Sequence, residues 1–86
     1  MYTLKFTKLA IKDSAKIKTS GLSPKTRQLL DILRKDPLQN PPGYEKLVGD
    51  LAGLYSRRIN IKHRLVYQIL EDQKIVKVLR MWTHYQ

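Results

Sequence analysis

Gly53-Leu54-Tyr55-Ser56-Arg57-Arg58-Ile59-Asn60-Ile61-Lys62-His63-Arg64-Leu65-Val66-Tyr67-Gln68-Ile69 is the segment around which the rest of the chain is arranged. Tyr55, Ile59 and Ile61 fall on odd positions, and Leu65, Tyr67 and Ile69 follow after a short polar break. Aromatic and β-branched residues in alternation read as strands, each with one face toward a core. Asn60 to His63 is polar enough for a turn, so the stretch predicts an antiparallel hairpin. Successive strand side chains leave opposite faces. Arg58 and Ser56 are therefore expected on the face away from Tyr55 and Ile59, with Arg64 at the mouth of the second strand. Two planar guanidinium forks on a rigid hairpin suit phosphate, although ordinary solvated arginines fit the same pattern.

Upstream, Tyr2 to Thr7 alternates as a first strand, with Tyr2, Leu4 and Phe6 on one face. From Lys8 the period changes: Leu9, Ala10, Ala15 and Ile17 interleave with Lys8, Lys12, Lys16 and Lys18 as in an amphipathic helix. Thr7 is its expected cap, and Ser20-Gly21 its end. Ser23-Pro24 predicts the start of a second helix, with Ser23 as N-cap and Pro24 at the first helical position. Leu29, Leu30, Ile32 and Leu33 supply its inward stripe, and Asp36-Pro37 stops it. The proline-rich stretch from Leu38 to Gly43 reads as a rigid loop. The segment from Tyr44 to Leu51 brings Glu45 and Lys46 to the sheet edge. Downstream, Glu71 to Lys74 is a second polar turn, and Ile75 to Trp82 is a last strand. The plan is α+β: an N-terminal strand, a two-helix hairpin, then antiparallel strands in one twisted sheet with the helices packed on one face.

Eighty-six residues allow a single domain, 1–86. No apolar run approaches the roughly 18 residues of a membrane span, and the N-terminus opens directly as a strand. No membrane is expected as a partner, and the cytoplasm is the expected compartment. The absence of cysteine excludes disulfides, thiolate metal sites and cysteine nucleophiles. Seventeen Lys and Arg against seven Asp and Glu give a net charge of +10. That excess favours a polyanionic partner, with nucleic acid ahead of an acidic protein or a membrane surface. Residues 1–42 hold nine of the basic residues and 43–86 the other eight, so the charge belongs to the folded surface.

Glu45, Arg58, Arg64, His84 and Tyr85 together make a workable kit for RNA cleavage. Such a reaction needs a base for the 2′-hydroxyl proton, an acid for the leaving 5′-oxygen, and cations for the charge on the phosphorane oxygens. Histidine titrates nearest neutral pH, and tyrosine offers a face on which a splayed base stacks. Each residue also fits a plain structural role: Glu45 as a surface carboxylate, His84 and Tyr85 as a chain end, His63 as a polar turn residue, Trp82 as core. No spacing of His, Asp and Glu suggests a metal site, and none suggests a cofactor.

The motifs carry a resemblance as well. Gly43-x-Glu45-x-Leu47 before Leu51-x-Gly53, then Tyr55-Ser-Arg-Arg-Ile59, His63-Arg-Leu-Val-Tyr67 and a terminal His84-Tyr85 resemble the Txe/YoeB family of addiction-module toxins, within the RelE-like superfamily. The resemblance covers residues 43–85. It implies a metal-independent, ribosome-dependent endoribonuclease that cuts mRNA and is neutralised by a cognate acidic antitoxin, and it leaves a homodimer open. By the same resemblance Glu45 stands where the general base lies, His84 where the acid lies, and Arg58 and Arg64 where the phosphate-binding arginines lie. Tyr85 then orients substrate, and Lys46 is a further substrate-binding candidate. The chain departs from the pattern at Val48, at Trp82-Thr83 and at Gln86. Two other readings remain at this point: a RelE-like toxin that acts by binding, as on gyrase, and a basic RNA-binding module without catalysis.

Overall fold

The computed structural model describes residues 1–83, Thr83 through its backbone. The strands are β1 (Thr3–Phe6), β2 (Glu45–Lys46), β3 (Leu54–Arg58), β4 (Arg64–Leu70) and β5 (Ile75–Thr83). The helices are α1 (Lys8–Thr19) and α2 (Ser23–Lys35). One five-stranded sheet runs in the order β1-β5-β4-β3-β2. The hairpin forms as its alternation requires, with Tyr55 opposite Tyr67 and Arg58 opposite Arg64. β5 lies antiparallel to β4. β1 joins the far side of β5 in parallel, so the sheet is mixed and the first and last strands lie side by side.

Local chemistry sets the helix ends. The Thr7 hydroxyl accepts from the Ala10 N–H at 3.1 Å and donates to the Leu79 carbonyl at 2.8 Å, which caps α1 and ties it to β5. At its other end Leu22 N–H reaches the Ile17 carbonyl at 3.0 Å and Gly21 N–H the Lys18 carbonyl at 3.3 Å. That paired closure needs a left-handed residue, and Gly21 supplies φ +78. α2 begins one residue earlier than its sequence suggests. The Leu22 carbonyl already accepts from Thr26 at 3.0 Å, so Leu22 is the N-cap, Ser23 is the first helical residue and Pro24 follows it. Leu22 is committed by the closure of α1, so the turn between the helices has no residue to spare.

Ala10 and Ile17 of α1 and Leu29 and Leu33 of α2 bury against Ile59, Leu65, Tyr67, Val76, Val78 and Met81 on one face of the sheet. The inward stripe of α1 differs from the expected one. Leu9 is exposed, and the position between Ala10 and Ile17 is taken by the buried carboxylate of Asp13. Ile61 sits in the hairpin turn, 88% exposed. His63, expected as a polar turn residue, is 9% exposed and stacks on the half-buried Trp82 with ring centroids 3.7 Å apart. No described helix is long and apolar enough to cross a membrane.

Candidate functional site

Glu45 and Ser56 face each other across β2 and β3. Arg58 and Arg64 do so across β3 and β4. Because Tyr55 and Arg57 occupy the alternate positions on the core side, Glu45, Ser56, Arg58 and Arg64 share the other face. They converge there with Gly43 and Tyr44 on an open cleft of about 380 Å³. The Arg64 Nη1 lies 3.0 Å from a Glu45 carboxylate oxygen and donates to the Ser56 hydroxyl at 3.2 Å. Arg64 is mostly buried, its side chain 15% exposed, whereas that of Glu45 is 61% exposed. The cation is thus held by the sheet and the carboxylate reaches to it from solvent. A pair with one partner so exposed is worth about 0–1 kcal/mol, so an incoming phosphate can take over the guanidinium at little cost.

Lys46 projects to the opposite side of β2 from Glu45, is exposed, and does not line the cleft. His84 and Tyr85 lie outside the described residues. Thr83, the residue before them, is in register with Arg64. Among the described residues no three His, Asp or Glu side chains gather as a metal would require. A larger groove of about 410 Å³ lies on the helix side, lined by Phe6, Ile11, Ile17, Leu30 and Met81 among others. It brings together no acid–base set.

Sequence reasoning passed over Arg57. It is 1% exposed. Its guanidinium donates to the carbonyls of Pro37 (3.0 Å), Gln39 (2.9 Å) and Pro42 (2.8 Å), and to the Tyr67 hydroxyl at 3.2 Å. It also lies 5.2 Å from the centre of the Tyr44 ring. The Tyr67 hydroxyl donates to the Pro37 carbonyl at 2.8 Å. Burial pushes the Tyr67 phenol up to about 12, against the opposing charge of Arg57. Residues 37–42 are thereby folded over the core side of β3 and β4, and the chain leaving this loop becomes Gly43-Tyr44-Glu45. The available signal was parity: Arg57 alternates with Tyr55 and Ile59 on the inward positions, just before a break in the apolar pattern.

The comparisons with known proteins bear on the whole frame. Residues 6–85 match the YoeB-like toxins of bacterial type II toxin–antitoxin systems. The chain belongs to this family. Toxin YoeB of Streptomyces coelicolor is 46% identical over 50 residues, 58% of each chain. Toxin YoeB of Escherichia coli K12 is 34% identical over 56 residues, 65% of this chain and 67% of that one. The chain thus spans little more than half the length of the Streptomyces relative. Among solved structures, a YoeB/ParE toxin from Agrobacterium tumefaciens superposes with a TM-score of 0.87 at 27% identity, covering 96% of this chain and 99% of that one. The toxin of a YoeB–YefM complex from Staphylococcus aureus superposes at 0.81 with 30% identity and 99% coverage of both chains. The Staphylococcus toxin has also been solved as a dimer. The expected α+β, RelE-like plan of strand, two helices and sheet is therefore correct, with a parallel β1 added to it.

Proposed function

We propose that this YoeB-like toxin is an endoribonuclease that cleaves mRNA on the ribosome. The observation that carries the reading is the Glu45 carboxylate 3.0 Å from the Arg64 guanidinium, over a cleft walled by Arg58. Glu45 takes the proton from a 2′-hydroxyl, and the resulting oxygen attacks the adjacent phosphorus. The bond from phosphorus to the 5′-oxygen breaks as His84 protonates that oxygen. The products are a 2′,3′-cyclic phosphate and a free 5′-hydroxyl. No water is consumed and no metal is called for. The contacts of Arg64 with Glu45 and Ser56 both use Nη1, which leaves the rest of its planar fork for the phosphorane oxygens beside Arg58. Tyr85 stacks on a splayed base, and Lys46, off the cleft, is left to the RNA backbone further along.

The partners are set by charge. With +10 on the folded surface, an antitoxin that silences the site presents acidic residues across Arg58 and Arg64. One experiment tests these statements together: inducing the protein in cells and mapping mRNA 5′ ends. New ends are expected with wild type and with Lys12→Ala, which removes one exposed helix charge. They are expected to vanish with His84→Gln or on co-expression of the antitoxin. An undiminished set of ends from His84→Gln would remove the acid from the scheme. Growth arrest without new ends would show a toxin that works by binding.

A further inference from the structure

Asp13 lies on α1, on the core side of the sheet, yet its contacts are with the end of β5. One carboxylate oxygen accepts from Arg80 Nε at 2.8 Å, from the Met81 N–H at 3.0 Å and from the Trp82 N–H at 3.2 Å. The other receives Arg80 Nη2 at 3.4 Å. In a regular strand, consecutive N–H groups point to opposite sides. Two that converge on one oxygen require a bent backbone. The pairing shows the bend: Arg64 is opposite Thr83 while Val66 is opposite Arg80, so β5 spends three steps where β4 spends two, and a second irregularity follows between Val66 and Tyr67, opposite Arg80 and Val78. The extra residue is a bulge, and a bulge leaves backbone groups out of the ladder and re-aims the residues after it. Here a carboxylate 3% exposed takes the ladder's place. Burial alone would raise the Asp13 pKa, but the hydrogen bonds from Arg80, Met81 and Trp82 hold it below the usual aspartate value.

Shifting a strand's register by one residue moves each side chain to the other face. Removing this bulge alone, with the second irregularity left in place, would bring residue 82 opposite Arg64 in place of Thr83, a slip of one residue or about 3.3 Å along the strand. We propose that Asp13 is a positioning residue for RNA cleavage: by holding the bulge at Met81 and Trp82 it sets the register in which Thr83 stands opposite Arg64, the point from which the chain runs on to His84. The Trp82 ring, stacked on His63 next to Arg64, holds the same point from the other strand. This rests on the assignment of His84 as the acid, and the test separates the two.

The test is a double-mutant cycle on single-turnover cleavage of ribosome-bound mRNA, using full-length Asp13→Asn, His84→Gln and the double variant. Asp13→Asn keeps the shape and one acceptor. It is expected to slow cleavage on the order of 10²-fold, the scale of a misplacement of about 1 Å, with ribosome affinity unchanged. In the His84→Gln background the same substitution should cost less than about threefold, since there is no acid left to misplace. Equal losses in both backgrounds would overturn the positioning role and leave Asp13 a support of the fold. Full activity in Asp13→Asn would overturn it as well. If Asp13→Asn does not fold, Arg80→Gln replaces it in the same cycle, with coupling and additivity read the same way. Wild-type cleavage by His84→Gln alone would instead remove the acid assignment, whatever Asp13 does.

Discussion

Arg64→Ala should slow cleavage of ribosome-bound mRNA by on the order of 10²–10⁴-fold, the usual cost of removing a group that stabilises charge developing in the transition state. The fold should survive. Arg64 stands at the first position of β4 and its partners are the exposed Glu45 carboxylate and one serine hydroxyl. No buried charge is left alone by its removal, so the stability change should stay within about 1 kcal/mol. Lysine should rescue little, because an ammonium is a point charge without the fork. Single-turnover rates beside a urea melt separate the two effects. A rate loss matched by a collapse in stability would make Arg64 a structural residue, and an unchanged rate would remove it from the site.

Arg57→Met is expected to do the reverse, with its first effect on stability. Methionine fills much of the volume but donates nothing, so the Pro37, Gln39 and Pro42 carbonyls lose the guanidinium that gathers them. Leaving a buried carbonyl without its donor costs about 1–3 kcal/mol, and three are left here, so a loss of several kcal/mol is expected. A chain of this length has on the order of 5–10 kcal/mol in total. The urea midpoint should fall by about half or more, and Arg57→Lys should recover little, since three short donors cannot span three carbonyls, a phenol and a ring. Glu45 follows the released loop by only a few residues, so activity should drop even where the variant remains folded. A midpoint within about 0.3 M of wild type, well inside the shift that such a loss implies, would show that the loop is held by something else. The two adjacent arginines would thus separate cleanly, Arg57 by stability and its neighbour Arg58 by RNA binding.

The hairpin was legible because alternation is local: Tyr55, Leu65 and Tyr67 announce both strands, and the polar break at Asn60 announces the turn. The caps were legible for the same reason, since Thr7 and Gly21 act on backbone within a few residues. Arg57 was not, because its partners arrive from a loop 15 to 20 positions away. A charged residue on an inward position reads as ordinary surface until those carbonyls are seen. Asp13 hid in the same way, its donors being 67 to 69 positions away. Nothing in the alternation of Ile75 to Trp82 marks a bulge, and no local period tells that β1 pairs in parallel with the last strand. Of the proposed site, parity placed Arg58 on the face away from Tyr55 and Ile59 and the turn put Arg64 at the mouth of the next strand; that the two stand opposite each other came from the pairing of β3 with β4. Residue chemistry grouped Glu45 with them and the family resemblance gave it the role of base, while its contact with Arg64 came from the pairing of β2 with β3.

In the proposed function, the cleft beside Glu45 and Arg64 directs a 2′-hydroxyl onto its own phosphodiester. The most direct measurement is single-turnover cleavage of a ribosome-bound mRNA carrying one 2′-deoxynucleotide at the mapped cleavage position. Cleavage at that position is expected to stop while ribosome binding is unchanged, and the all-ribose control is expected to end in a 2′,3′-cyclic phosphate. Continued cleavage at the deoxy position, with a plain 3′-phosphate or 3′-hydroxyl end, would contradict the proposed function.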